Sequence, residues 1–249
     1  MLRPITSTIT AQETAEGAGA VVRRAIPHAS LRSLDPFVLL DEFLVEPPAS
    51  FPEHPHRGFE IVTYLLEGSF RHRDSMGNDS TVDAGGLQKI NTGAGIWHSE
   101  MPRSSGLNRG LQLWINLPHA LKQGQPEYEG VPADRIPEQT ADGSRTRIVV
   151  GAASPVSLHT PVLYLDVALQ PESSWEWEVP PDYSGAIYVL SGGGHFGAED
   201  TEGRPGQLLV LGEGDRVRAR AKASEPLRFV LFAGRPHGEP IRIRGSFVE

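Results

Sequence analysis

The chain has 249 residues, 39% hydrophobic and 22% charged, with a net charge of -8 and no cysteine. That composition suits a globular protein with room for one large or two moderate domains. It excludes disulfides, thiolate metal sites and thiol nucleophiles; the 23 Lys and Arg are scattered, so direct nucleic-acid binding, which needs a basic patch, is not expected.

From the start, Met1 to Gly17 is polar rather than a charged opening followed by an apolar block, and no later run approaches the length of a bilayer span. A cytoplasmic protein, free of membranes and monomeric, is therefore expected. Thr6 to Ala20 has weak periodicity. Val21 to Ile26 reads as a short strand, and Leu34 to Phe43 as an apolar run with acidic punctuation. Pro47, Pro48 and Pro52 predict an irregular approach to His54. Ile61 to Leu66 has the β-branched and aromatic content of a strand buried on both faces. Phe70 to Asp74 continues extended, and Met76-Gly-Asn-Asp is a turn signal. Leu111 to Leu117 alternates like a half-buried strand.

Pro118 to Gly151 is rich in turn residues and predicts the connection between two domains, 1–133 and 134–249, with a short helix near His119–Gln123 or Ala133–Glu138. Strands resume at Arg147–Val150, Leu163–Leu169, Ala186–Leu190, Gln207–Leu211 and Leu227–Phe232. Arg216 to Lys222 carries its charges at period two, a strand with one solvated face. The whole chain reads as all-β.

The stretch most suggestive of chemistry runs from Phe51 to Met101. Side chains two apart on a strand share a face, so His54 and His56 form one pair and His98 and Glu100 another. If the intervening strands fold the second pair beside the first, three imidazoles and a carboxylate converge. Such a donor set suits a first-row divalent metal. The segment also has an echo downstream. Tyr64-Leu-Leu-Glu-Gly68 matches Tyr188-Val-Leu-Ser-Gly192, Gly86-Leu-Gln matches Gly206-Gln-Leu, and Gly93-Ala-Gly95 matches Gly212-Glu-Gly214. Counting from these landmarks, the second copy has Glu178, Pro180, Val217 and Ala219 where the first has the four candidate ligands. The second domain is expected to lack metal.

Taken together, these motifs resemble the cupin superfamily, and within it the pirin family. Leu34-Asp-Pro-Phe, Asp41-Glu-Phe43, Phe51 to Glu60, His98-Ser-Glu-Met-Pro102, Leu111 to Pro118, Thr160 to Asp166 and Leu211 to Asp215 carry the resemblance over nearly the whole chain. It implies two tandem cupin β-barrels facing each other, with one mononuclear metal in the N-terminal barrel. Iron is the expected metal, with Mn, Ni, Cu, Co or Zn as alternatives. The general cupin motif would make Glu60 the carboxylate ligand; similarity to pirin assigns His54, His56, His98 and Glu100 as ligands, with Glu100 or Glu60 handling a proton. Gly93 stands where many cupins have proline, which predicts a looser turn. The chain ends at Glu249 where relatives often continue, so cover from such a tail is expected to be absent.

The resemblance implies two functions. One is a dioxygenase like the bacterial relatives that open the flavonol quercetin with O2, acting on a small aromatic substrate. The other is a redox-sensing iron protein that modulates a transcription factor or enzyme partner by protein contact. Among other residues, His72 reads as part of an exposed hairpin, and His28, His119, His159, His195 and His237 as solvated loop residues. Trp97 and Trp114 are candidates for either a cavity wall or the core.

Overall fold

Short runs of β-branched and aromatic residues, cut by Gly, Pro and Asp turns, become strands along the whole chain. The computed structural model describes residues 1–249, in which the only helical pieces are single 3₁₀ turns at His119–Leu121 and Ala133–Arg135. They fall where the sequence predicted short helices. No helix is long and apolar enough to cross a membrane.

The strands form two compact units. One comprises Gln12–Ile136, Leu158–Thr160 and His237–Glu249; the other comprises Met1–Ala11, Pro137–Ser157 and Pro161–Pro236. This departs from a single cut after Ala133. Ile5–Thr10 pairs antiparallel with Gln207–Leu211, so its backbone hydrogen bonds assign the first strand to the second unit. The C-terminal residues pair within the first: Val248 donates its amide to the Arg57 carbonyl at 3.0 Å. Sequence proximity misled here because each end of the chain completes the unit built mainly from the other half.

In the first unit a seven-stranded antiparallel sheet runs in the order Glu127–Val131, Leu87–Asn91, Phe59–Glu67, Asn108–Asn116, Phe37–Val45, Ala20–Ile26, Gln12–Glu16. A four-stranded sheet adds Phe51–His56, Ile96–Pro102, Ser69–Asp74 and Asp79–Asp83. The centre of Phe59–Glu67, apolar but for Thr63, is buried on both faces, as its composition predicts. Its side chains at Phe59, Ile61, Thr63 and Leu65 share one face, and Phe59, Ile61 and Leu65 pack into the apolar interior.

The second unit repeats the plan. Its seven-stranded sheet runs Ile5–Thr10, Gln207–Leu211, Ser184–Ser191, Leu227–Gly234, Val162–Leu169, Ser144–Val150, Glu138–Ala141, and its four-stranded sheet Ser174–Glu178, Arg216–Ala221, Gly194–Phe196, Thr201–Gly203. Apart from the edge strand Ile5–Thr10, which comes from the start of the chain, the strand order is that of the first unit, the repeat seen in the sequence. Val217, Ala219 and Ala221 point into a continuous apolar core while the alternate arginines face out, the pattern read from Arg216 to Lys222.

Candidate metal centre

His54 and His56 lie on Phe51–His56, a strand that holds Pro52 and Pro55. The prolines were expected to forbid regular structure. They are tolerated because this is the outermost strand of its sheet, so a missing N–H breaks no ladder on the open side. Its one neighbour is Ile96–Pro102, in a register that sets His54 opposite His98 and His56 opposite Ile96. A bulge between His98 and Glu100 follows, and Glu100 also lies opposite His72 on the strand beyond. Gly93, at φ +41, occupies a turn where a Cβ would collide with the Gly124 carbonyl. A proline, with φ fixed at about -65°, could not adopt this conformation.

The pairing brings the three imidazoles together. Their ring centroids lie 4.6, 4.5 and 4.9 Å apart for the pairs His54–His56, His54–His98 and His56–His98. His54 Nε2 and His98 Nε2 approach to 3.1 Å, and one coordinating atom from each of the three residues lies within 4.8 Å of the others. His54 Nδ1 donates to the Pro52 carbonyl at 2.7 Å and His56 Nδ1 to the Ser246 carbonyl at 3.4 Å. A carbonyl only accepts, so both rings carry their proton on Nδ1 and present a lone pair at Nε2. The Nε2 of His56 is buried with no hydrogen-bond partner. Burial, reinforced by its histidine neighbours, lowers His56 to about 3 and His98 well below the ordinary histidine range. Both are neutral near pH 7, the form that ligates. Neutral, converging imidazoles with an orphaned buried nitrogen fit a divalent transition metal.

Glu100 is 2% exposed and lines the same cavity, yet its oxygens stand outside the cluster formed by the three histidines. Thr63 Oγ1 donates to Oε1 at 3.3 Å and Gln112 Nε2 to Oε2 at 2.9 Å. Burial pushes the carboxyl up to about 7, against the pull of these two donors. The indole N–H of Trp114 donates to Gln112 Oε1 at 3.0 Å. An indole is only a donor, so it fixes which end of the Gln112 amide faces Glu100.

Glu60 is elsewhere. Its carboxylate is fully buried and accepts from the backbone N–H of His159 at 3.0 Å, from His159 Nδ1 at 3.1 Å and from the Thr160 N–H at 3.3 Å. Counting four residues on from His56 suggested a shared face, but the count crosses Gly58 at φ +88 and passes onto a different strand. On that strand Thr63 faces Glu100, and Glu60, of opposite parity, does not. His159 is thus a hydrogen-bond partner of Glu60 rather than a free loop residue.

Three contributors were not foreseen. His72 is fully buried, not on an exposed hairpin; its ring stacks on Tyr128 with centroids 4.0 Å apart and lies 5.4 Å from that of His98. Its Nε2 pairs with Asp74 at 2.9 Å. Thr63 and Gln112 are the second and third. Their only sequence signal is a polar residue inside an apolar strand. Of the tryptophans, Trp114 lines the cavity and stacks on Phe59 at 4.2 Å, whereas Trp97 is 51% exposed.

The cavity holds about 600 Å³, with Leu39, Phe43, Phe51 and Trp114 among its apolar walls. Ile243, Gly245 and Ser246 also line it. These residues, which precede Glu249, cover the site themselves. Lys122 Nζ holds them by donating to the Val248 carbonyl at 3.2 Å as well as to Gly58 O and Asn116 Oδ1.

Fold and site define a protein of two cupin units, with a three-histidine centre able to bind a metal in the first. The pirin family profile matches residues 19–115, and the pirin C-terminal cupin domain matches residues 164–249. A pirin-like protein of Solanum lycopersicum is 43% identical over 99% of this chain and 86% of its own, and human pirin 41% identical over 99% and 87%. The solved structure of a quercetin 2,3-dioxygenase from Acinetobacter baumannii superposes with a TM-score of 0.90 at 28% identity, covering 100% of this chain and 92% of that one. The chain belongs to the pirin family.

Proposed function

We propose that this protein is a metal-dependent dioxygenase that opens a flavonol-type aromatic ring with O2. The observation that carries the proposal is the convergence of three imidazoles, His54, His56 and His98, beside a cavity that His54, His56 and the buried carboxyl of Glu100 line. Its volume falls in the range of small-molecule sites, about 300–1,000 Å³. Similarity to the Acinetobacter quercetin 2,3-dioxygenase supports the substrate class.

His54, His56 and His98 would hold the metal, iron in the first instance. Bound there, the metal would supply Lewis acidity and electronic coupling between an organic oxygen and O2. Glu100 receives the proton of the substrate hydroxyl; its elevated pKa, about 7, makes it an effective base at neutral pH. Each Glu100 oxygen keeps a lone pair beyond those engaged by Thr63 and Gln112, so the carboxylate can also serve as a fourth donor. Trp114, Phe51 and Leu39 bracket the flat ring and keep water from it.

The test is to load the protein separately with Fe, Mn, Ni, Cu, Co and Zn, add quercetin in air and follow the flavonol absorbance. Loss of absorbance with at least one metal, abolished in His98→Ala, is expected. No turnover with any of the six sinks the proposal. The alternative of a redox-sensing binding protein draws on one observation: Trp97 and Met101, 51% and 38% exposed, flank His98 and Glu100 on the outer face of the same strand. Partner capture that depends on the metal's oxidation state, without turnover, would favour it.

A further inference from the structure

A row of polar side chains crosses one face of the seven-stranded sheet of the first unit. Thr63 lies opposite Gln112, Gln112 opposite Asp41, and Asp41 opposite Arg24. Three successive pairs of neighbouring strands, each about 4.8 Å apart, carry this row roughly 14 Å across the sheet. One end is Thr63, against Glu100. The other is Arg24, which lines the same cavity as His54 and His56.

Arg24 is rigidly held. Its Nε and Nη2 grip the two Asp41 oxygens at 2.9 and 2.6 Å, and Nη2 reaches Glu16 Oε1 at 3.0 Å. That leaves Nη1 without a protein partner. One guanidinium between two carboxylates carries net negative charge, which disfavours a carboxylate or phosphate on the ligand. A neutral hydroxyl fits instead. It can accept from Nη1 and donate to Glu16 or to a spare lone pair of Asp41. Two adjacent hydroxyls on one ring can do both at once.

Building on the flavonol proposal, we infer that Arg24, with Asp41 and Glu16, is the specificity-determining subsite for a vicinally dihydroxylated ring at the end of the substrate remote from the metal. A rigid aromatic on the order of 10 Å long, oxygenated at both ends, fits within the roughly 14 Å row, with Leu39, Phe43 and Trp114 of the cavity wall available to its apolar middle.

The inference is tested by calorimetric titration of metal-loaded protein without O2. The probes are quercetin, which carries the vicinal pair, and galangin, a flavonol without hydroxyls on that ring. Quercetin is expected to bind roughly tenfold more tightly, the size of one charge-assisted hydrogen bond set. Arg24→Lys keeps a cation beside Asp41 but loses the planar fork. It should bring the two affinities to within about threefold, chiefly by weakening quercetin. Should that variant fail to fold, Glu16→Gln, at a more exposed carboxylate, is expected to narrow the ratio in the same direction.

Equal affinities in the unsubstituted protein, no flavonol binding at all, or an undiminished ratio in folded Arg24→Lys would each overturn the inference. The two proposals fail separately. A protein that keeps the ratio but consumes neither flavonol in air retains the subsite and loses the dioxygenase; one that consumes both with equal affinity does the reverse.

Discussion

Gln112 works through its neighbours on both sides. Because the Trp114 indole occupies its oxygen, its nitrogen is committed to Glu100, where a hydrogen bond to the charged form lowers the carboxyl pKa. Gln112→Met removes that donor, so Glu100 should titrate above its present value of about 7. A base acts only above its pKa, so the acidic limb of kcat/KM against pH should move to higher pH, and turnover at pH 7 should fall. An unmoved limb would show that Glu100 is not the base. The indole N–H is also left without an acceptor, at a cost of about 1–3 kcal/mol in stability. Glu60→Gln makes the opposite case. Its carboxylate only fastens His159 and Thr160, so the expected result is a lowered Tm, from a loss of about 1–3 kcal/mol, with metal content and KM unchanged. A changed KM would return Glu60 to the site. The two glutamates show how far parity reasoning reaches. Within Ile96–Pro102 the shared face of His98 and Glu100 was legible; across Gly58 the count lost its meaning, and Thr63, three residues beyond Glu60, faces Glu100 instead.

At the scale of elements, the site is an edge strand, a central strand and a C-terminal hairpin, Ile243–Arg244 with Phe247–Val248, brought together. The first two were legible, since His-x-His and Gly-x-x-His carry their own spacing. The hairpin was not, because its contribution is a backbone carbonyl, which any residue supplies, acting 190 positions away on His56. Fixing the second nitrogen of a ligating imidazole typically matters 10- to 100-fold in metal affinity. Deleting residues 243–249 is therefore expected to speed loss of metal to a chelator by roughly tenfold or more and to open the cavity. Lys122→Met provides a full-length control. It removes the ammonium donor to Val248 and should loosen the hairpin in the same direction, more weakly. Unchanged metal release in both, with the fold intact by circular dichroism, would show that the hairpin is only a cover.

For the whole molecule, one plan is used twice, but only the first unit carries the histidine cluster. Both four-stranded sheets have the same strand order, but where His54 faces His98 in the first unit, Trp177 faces Val217 in the second. Counting back from Tyr188 had pointed to Glu178; the ladder, not the count, sets the match. The second unit closes through the chain's own beginning. Arg3, 2% exposed, donates from its guanidinium to the carbonyls of Tyr183 at 2.7 Å, Pro180 at 2.7 Å and Gly212 at 3.3 Å. Its acceptors are all neutral, and burial lowers its pKa. Arg3→Met would relieve that charge burial but strip a donor from three carbonyls, with a net loss expected at about 1–3 kcal/mol, or several degrees in Tm. Every ligating imidazole lies in the first unit, so metal content by elemental analysis should not change. Calorimetry that showed no loss would mean the N-terminal segment is carried by its strand pairing with Gln207–Leu211 alone. Loss of metal along with Tm would mean that the two units unfold as one.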